Sequence, residues 1–133
     1  MSENYPRRPT GESFFPLVAH VSEPIAQGAA TTVRVRNRTG YTMTIVGVQG
    51  FCTALSNGGA TLDIQNLAGV SHLALPVTLV AGAVAESNAI TGAAGTGVIN
   101  GVDVYFVFTN NGGAGNLTDG QGTVTTRVLH ATT

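Results

Sequence analysis

The residues of this chain that could do chemistry are few: three histidines, one cysteine, seven carboxylates and six arginines. His20, His72 and His130 never fall at the short spacings, such as H-x-H or H-x-x-x-H, that bring two imidazoles onto one ion, so no zinc site is expected. Cys52 follows Phe51 with no nucleophile signature around it, the pattern of a small buried residue. The carboxylates are Glu3, Glu12, Glu23, Asp63, Glu86, Asp103 and Asp119. A glycosidase needs two such groups about 5–10 Å apart. Asp63 and Asp103 meet that need only if their strands pair; the simpler reading has each on a strand beside an arginine. Asp119, with Asn110, Asn111 and Asn116 nearby, has too little charge for a calcium loop. Lysine is absent, which removes the P-loop, the Schiff-base lysine and the Ser-Lys dyad. No metal, cofactor or enzymatic activity is expected.

The arginines are more informative. Arg34, Arg36 and Arg38 alternate through Thr31 to Arg38. On a strand they share one face and form a row about 14 Å long. The row suits docking to an acidic partner, because guanidinium pairs bidentately with carboxylate. It equally suits a solvated outer face that stabilises little. Arg7 and Arg8 lie in a proline-containing N-terminal stretch with Tyr5, Phe14 and Phe15. These eight residues, Tyr5, Arg7, Arg8, Phe14, Phe15, Arg34, Arg36 and Arg38, are the candidate partner contacts.

Composition bounds the rest. At 133 residues the chain suits one domain, large enough to bury roughly two-thirds of its unfolded surface. Charged residues make up 10%, and the net charge is −1, which gives no basic excess for nucleic acid and little charge to keep free copies apart. One cysteine permits no intrachain disulfide. No run is long and apolar enough for a membrane helix. The N-terminus lacks the apolar core of a secretion signal, so the sequons Asn37-Arg38-Thr39 and Asn116-Leu117-Thr118 carry little weight and synthesis in a reducing cytoplasm is expected.

The elements that position these residues read as strands. In Gly101 to Thr109, Val102, Val104, Phe106 and Phe108 recur at every second position and predict an apolar row on a central strand. The other face (Asp103, Tyr105, Val107, Thr109) is apolar enough in the middle to be covered by a loop or a neighbouring subunit. Met1 to Pro16 has four breakers and no period, and is expected to be an extended arm; 17–133 is the domain. Leu17 to Ser22 predicts a first strand, with Leu17, Ala19 and Val21 on one face. Thr31 to Arg38 predicts a second, with Val33 and Val35 inward and Tyr41 to Gln49 as its hairpin partner across Thr39-Gly40. Met43, Ile45 and Gly47 share one phase of that partner, and Gly47 and Gly50 suggest a bulge or close approach. Thr61 to Asn66 puts Leu62 and Ile64 inward. Leu73 to Val80 is apolar at Leu73, Leu75, Val77 and Leu79, with Pro76 marking an edge. Ala81 to Asn100 is a long small-residue loop with a weak strand near Ala89 to Thr91. Gly122 to His130 is the last strand, with Val124, Thr126 and Val128 inward. Seven or eight antiparallel strands between glycine turns predict an all-β fold: a single β-sandwich, jelly-roll-like, with an N-terminal arm.

The run from Thr61 to Phe108 resembles a known group. A TLDIQN strand, an LALPVTLVAG strand, an Ala/Gly/Thr loop and a GVDVYFVFT strand are similar to the small β-sandwich decoration (cement) proteins of tailed-bacteriophage heads and related fibre domains. Gly101-Val102-Asp103 stands where that group has Gly-Asp. The resemblance implies a non-enzymatic virion protein on the capsid surface, a homo-oligomer (a trimer) whose partner is the major capsid protein, and no catalytic residues. Nucleic acid and membrane are not among the expected partners. The alternative is a receptor- or glycan-binding jelly roll of a tail fibre, for which Tyr41 and Tyr105 are the aromatic candidates. A cupin-like enzyme would need a metal triad that the sequence does not offer.

Overall fold

A computed structural model describes residues 11–130, with side chains placed over 13–128. Among these residues there are nine strands and no helix: β1 (Gly11–Val21), β2 (Ala30–Arg36), β3 (Met43–Phe51), β4 (Ala60–Gln65), β5 (Val77–Thr78), β6 (Ala85–Ser87), β7 (Gly97–Val98), β8 (Asp103–Asn110) and β9 (Gly120–His130). They form two sheets. One has the order β1-β9-β3-β6, with β7 also on β3; the other has the order β2-β8-β4-β5. All pairs are antiparallel and nested: β1 with β9, β2 with β8, β3 with β6 and β7, β4 with β5. A hairpin folded this way, with successive pairs falling alternately in the two sheets, is a jelly roll.

The period-2 rows set which face each strand buries. Val104, Phe106, Phe108 and Asn110 of β8 point inward, and Asp103, Tyr105, Val107 and Thr109 point outward. β8 lies between β2 and β4, the central position expected of it. Val102 is excluded from the row, because β8 begins one residue later and leaves it half-exposed. Leu17, Ala19, Val21, Leu62, Ile64, Val124, Thr126 and Val128 are all buried as their alternation requires.

The interior is filled by matching the bulk of one sheet to the glycines of the other. Phe106 and Phe108 are fully buried, and opposite them stand Gly122 and Gly120 of β9. A Cβ on Gly122 would lie 2.8 Å from the Phe106 ring and 3.0 Å from Leu62; one on Gly120 would lie 3.1 Å from the Phe108 ring. Gly50 of β3 leaves the same kind of space for Leu79 and Leu62. Each buried ring contributes roughly 1.5–3 kcal/mol relative to exposure.

Several expectations need correction. β2 and β3 are not a hairpin: β2 pairs β8 and β3 pairs β9, in different sheets. The chain crosses between sheets through 37–42, where buried Asn37 pins the corner. Its Nδ2 donates to the carbonyls of Tyr41 (2.8 Å) and Val98 (3.0 Å), and its Oδ1 accepts from Thr39 N and Oγ1. β3 changes phase at a register shift between Ile45 and Gly47, so Val48 rather than Gly47 continues the buried row. Gly11–Pro16, expected in the arm, is the first half of β1 and pairs residue by residue with β9 up to His130. Pro16 is tolerated because β1 is an edge strand, where alternate N–H groups have no ladder partner. The remainder of the expected arm, 1–10, lies outside the described residues. Leu73 to Val80 is a strand only at Val77–Thr78, and Leu75 is exposed. Within Ala81 to Asn100 the short strands are at Ala85–Ser87 and Gly97–Val98, not near Ala89.

Candidate functional site

The outer face of β2 and β8 assembles the one strong charge cluster of the described residues. Because Val33 and Val35 enter the core, Arg34 and Arg36 must project from the other face of β2. Register places Arg36 directly opposite Asp103, the first residue of β8, and Arg34 opposite Tyr105. Arg36 grips Asp103 with two hydrogen bonds, Nε to Oδ1 at 2.8 Å and Nη2 to Oδ2 at 3.3 Å. Arg34 Nε stands 3.7 Å from Oδ2. The side chain of Asp103 is 11% exposed, against 66% for Arg34 and 45% for Arg36. The carboxylate is therefore a keystone beneath the guanidiniums. The Arg36 hydrogen bond, helped by the charges of Arg36, Arg34 and Arg38, holds its pKa below the ordinary carboxylate value and raises that of Arg36.

Arg38 lies past the end of β2, beyond Asn37, and its side chain rejoins the other two. Arg34, Val35, Arg36, Arg38 and Asp103 line an open cleft of about 480 Å³. Three guanidinium charges against one carboxylate leave an excess of two positive charges there. Next to it the corner carries apolar surface. Asn37 N donates to Val102 O (3.0 Å), Gly101 N to Asn37 O (2.8 Å) and Gly40 N to Asn100 Oδ1 (3.0 Å), which brings exposed Tyr41, Ile99 and Val102 to the same end of the sandwich. The sequence signal for this corner was Asn37-Arg38-Thr39. Read as a sequon it is misleading; read as an Asx turn, with Thr39 N donating to Asn37 Oδ1, it marks the fold.

The remaining candidates are dispersed. Phe14 is 60% exposed on the outer side of β1, whereas Phe15 is partly buried against the core. Tyr5, Arg7 and Arg8 lie outside the described residues. Asp63 faces Val107, four positions along β8 from Asp103, so the two carboxylates are not a pair. Asp63 is held instead by Ser71 Oγ (2.5 Å), Gln65 Nε2 (2.9 Å) and its neighbour Ile64 N (2.9 Å), not by an arginine. His72 is buried with Nδ1 2.7 Å from Gly95 O, and His20 stands 3.8 Å from Asp119 at the opposite end from the arginines. Among the described residues no three His, Cys, Asp or Glu side chains converge. Cys52 is buried, and burial pushes its thiol pKa up. Asn110 is spent on structure, accepting from Ser56 Oγ (2.7 Å) and donating to Ile25 O (3.0 Å).

No family model matches the chain, and no curated protein is similar to it. Among solved structures it is similar to the serine protease of Aeromonas sobria in complex with its chaperone, with 11% identity and a TM-score of 0.46 over 98% of this chain and 29% of that one. It is also similar to the structure of infectious bursal disease virus strain Gx, at 15% identity and a TM-score of 0.43 over 92% of this chain and 33% of that one. The extra small virus VLP of the giant freshwater prawn Macrobrachium rosenbergii matches at 10% identity and 0.40, over 97% of this chain and 86% of that one. The chain thus spans about a third of the protease and bursal-virus chains. No residue role passes from any of them to this sequence.

Proposed function

We propose that this chain is a structural protein of a virus particle, decorating and stabilising the outside of a tailed-phage head through contacts that bridge subunits. The observation that carries the reading is the filled interior. Jelly rolls serve as shells, as lectins and as cupins, and a cupin works from inside its barrel. Here Phe106, Phe108, Leu62 and Ile64 occupy that space, closed off by Gly120 and Gly122. Function is left to the outside.

That outside is suited to assembly. It is poor in charge, and it exposes Leu67, Leu75, Val80, Val84 and Ile99 in loops and Phe14 and Val18 on β1. Phe14 and Val18 stand on the same outward face of the edge strand β1, where a neighbouring subunit would cover them. The arginine cleft and the adjoining Tyr41, Ile99 and Val102 form the contact to the capsid. A protein that binds the intact shell and not its separated subunits stabilises the shell by linkage. Peptide mass spectrometry and immunogold labelling of particles from the source of the sequence test this. The chain is expected at a fixed copy number on the outer surface; its absence from particles refutes the reading.

One observation favours a second reading, a glycan-binding face. Tyr105 lies half-buried between Arg34 and Gln65 in register, an aromatic ring flanked by hydrogen-bonding groups. A glycan array with wild type and Tyr105→Ala separates the two: array binding lost on substitution supports the glycan reading, and no binding removes it.

A further inference from the structure

We propose that β2 is a docking edge for an extended acidic segment of a partner protein, which joins the sheet β2-β8-β4-β5 as a further strand and sets carboxylates opposite Arg34 and Arg36. The inference rests on the reading above and names the chemistry of its contact.

A strand at the edge of a sheet presents unpaired N–H and C=O groups, and proteins usually blunt such edges. Here the other edges are blunted. β1 carries Pro16, β5 has two residues, and β6 and β7 have three and two. β2 is different. It runs seven residues, Ala30–Arg36, without proline or bulge, and four of them are threonine or valine, which favour extended backbone. Its inner side pairs with β8, and no strand of the described residues pairs with its outer side.

The side chains decide what fits. Thr32, Arg34 and Arg36 face outward at every second residue, so a partner with Asp or Glu at alternate positions places each carboxylate across from a guanidinium. Asp103 fixes Arg36 from below and leaves Arg34 and Arg38 in excess. A second copy is a poor occupant. Antiparallel pairing of two β2 strands along their full length puts the two Arg34 side chains diagonal to one another, about 7–8 Å apart. It also crowds four arginines onto one face. Like charges at that range oppose the pairing that an acidic strand strengthens. Adding a strand to an edge gives affinity through the main chain and specificity through alternate side chains.

The test uses the full chain and a fluorescein-tagged, acetylated heptapeptide that alternates glutamate with valine and threonine, read by fluorescence anisotropy. Saturable binding at sub-millimolar concentration is expected. Two further peptides carry N-methyl groups on alternate residues, one along each edge. Methylation of the edge that faces β2 should abolish binding, and methylation of the other edge should leave it intact. Arg34→Gln, at an exposed position, should weaken binding about three- to fivefold, with an unchanged thermal melt. A peptide with lysine for glutamate should bind at least about tenfold more weakly, since it loses each cross-strand attraction and gains a repulsion. Absence of saturable binding overturns the proposal. So does equal binding of both methylated peptides, of the lysine peptide, or by Arg34→Gln. Particle composition is read separately: a chain present in particles that binds no peptide removes the docking edge and leaves the virion function standing.

Discussion

Replacing Gly122 by alanine tests the packing on which the functional reading depends. The new Cβ would sit 2.8 Å from Cδ2 and 3.1 Å from Cε2 of Phe106, and 3.0 Å from Leu62 Cδ2. Normal carbon contacts are about 3.5–4.0 Å, so two fully buried side chains must give way together. Overpacking of this kind costs about 1–3 kcal/mol. Gly122 has no positive φ, so alanine also gains about 0.4–1 kcal/mol by restricting the unfolded chain. Because both buried neighbours must move, the overpacking cost lies in the upper half of its range, about 2–3 kcal/mol. The net expectation is a loss of about 1–2.6 kcal/mol, or a Tm lower by roughly 4–9 °C for a domain of this size. Urea unfolding followed by circular dichroism and tyrosine fluorescence measures it, since the chain has no tryptophan. Phe106→Leu should relieve the clash, so the double variant should be more stable than the sum of the singles by at least about 0.5 kcal/mol. If Gly122→Ala is as stable as wild type, the interior has slack and the argument from a filled core fails.

Other substitutions test the corner, the keystone and the thiol. Asn37→Ala removes a buried amide that satisfies two carbonyls, and should cost about 2–4 kcal/mol by chemical denaturation; a loss under about 0.5 kcal/mol would mean the corner does not need it. Expressed through a secretory pathway, the folded protein should carry no glycan at Asn37, because both Nδ2 donors are used inside the fold; peptide mapping decides this. The pKa of Asp103 is depressed on folding, so its contribution is complete above the unfolded value of about 4 and is lost as pH falls through the lower folded value. Stability should therefore drop at acid pH in wild type and drop less in Asp103→Asn; identical acid limbs would contradict the keystone role. Cys52 should resist a thiol reagent in the native state and react once unfolded, whereas rapid native labelling would contradict its burial.

The sequence carried local information well and pairing information poorly, for a physical reason. Alternation alone turned Val104, Phe106, Phe108, Leu62 and Ile64 inward, and it put Arg34 and Arg36 outside, because side-chain direction on a strand depends only on parity. Partner choice depends on contacts far apart in the chain. Thr39-Gly40 between two strands reads as a hairpin, but the nested order sends β2 to β8 and β3 to β9. The proline in β1 hid the strand half that contains Phe14 and Phe15, since a proline at an edge and a proline in an arm look alike without knowledge of the edge. Gly47 and Gly50 pointed to a bulge or close approach, and the register does shift between Ile45 and Gly47, but the change of phase beyond it was not legible. In the site, the arginine row was legible and so was an arginine beside Asp103, but not which one, because the register that opposes Asp103 to Arg36 spans 67 residues.

The role proposed for this chain is to hold a shell together from its outer surface. Its most direct test is the thermal disassembly of particles produced with and without the gene, followed by light scattering, with purified protein added back. Particles lacking the protein should come apart at lower temperature, and stoichiometric addition should restore the wild-type transition. Equal transitions with and without the protein would contradict the account.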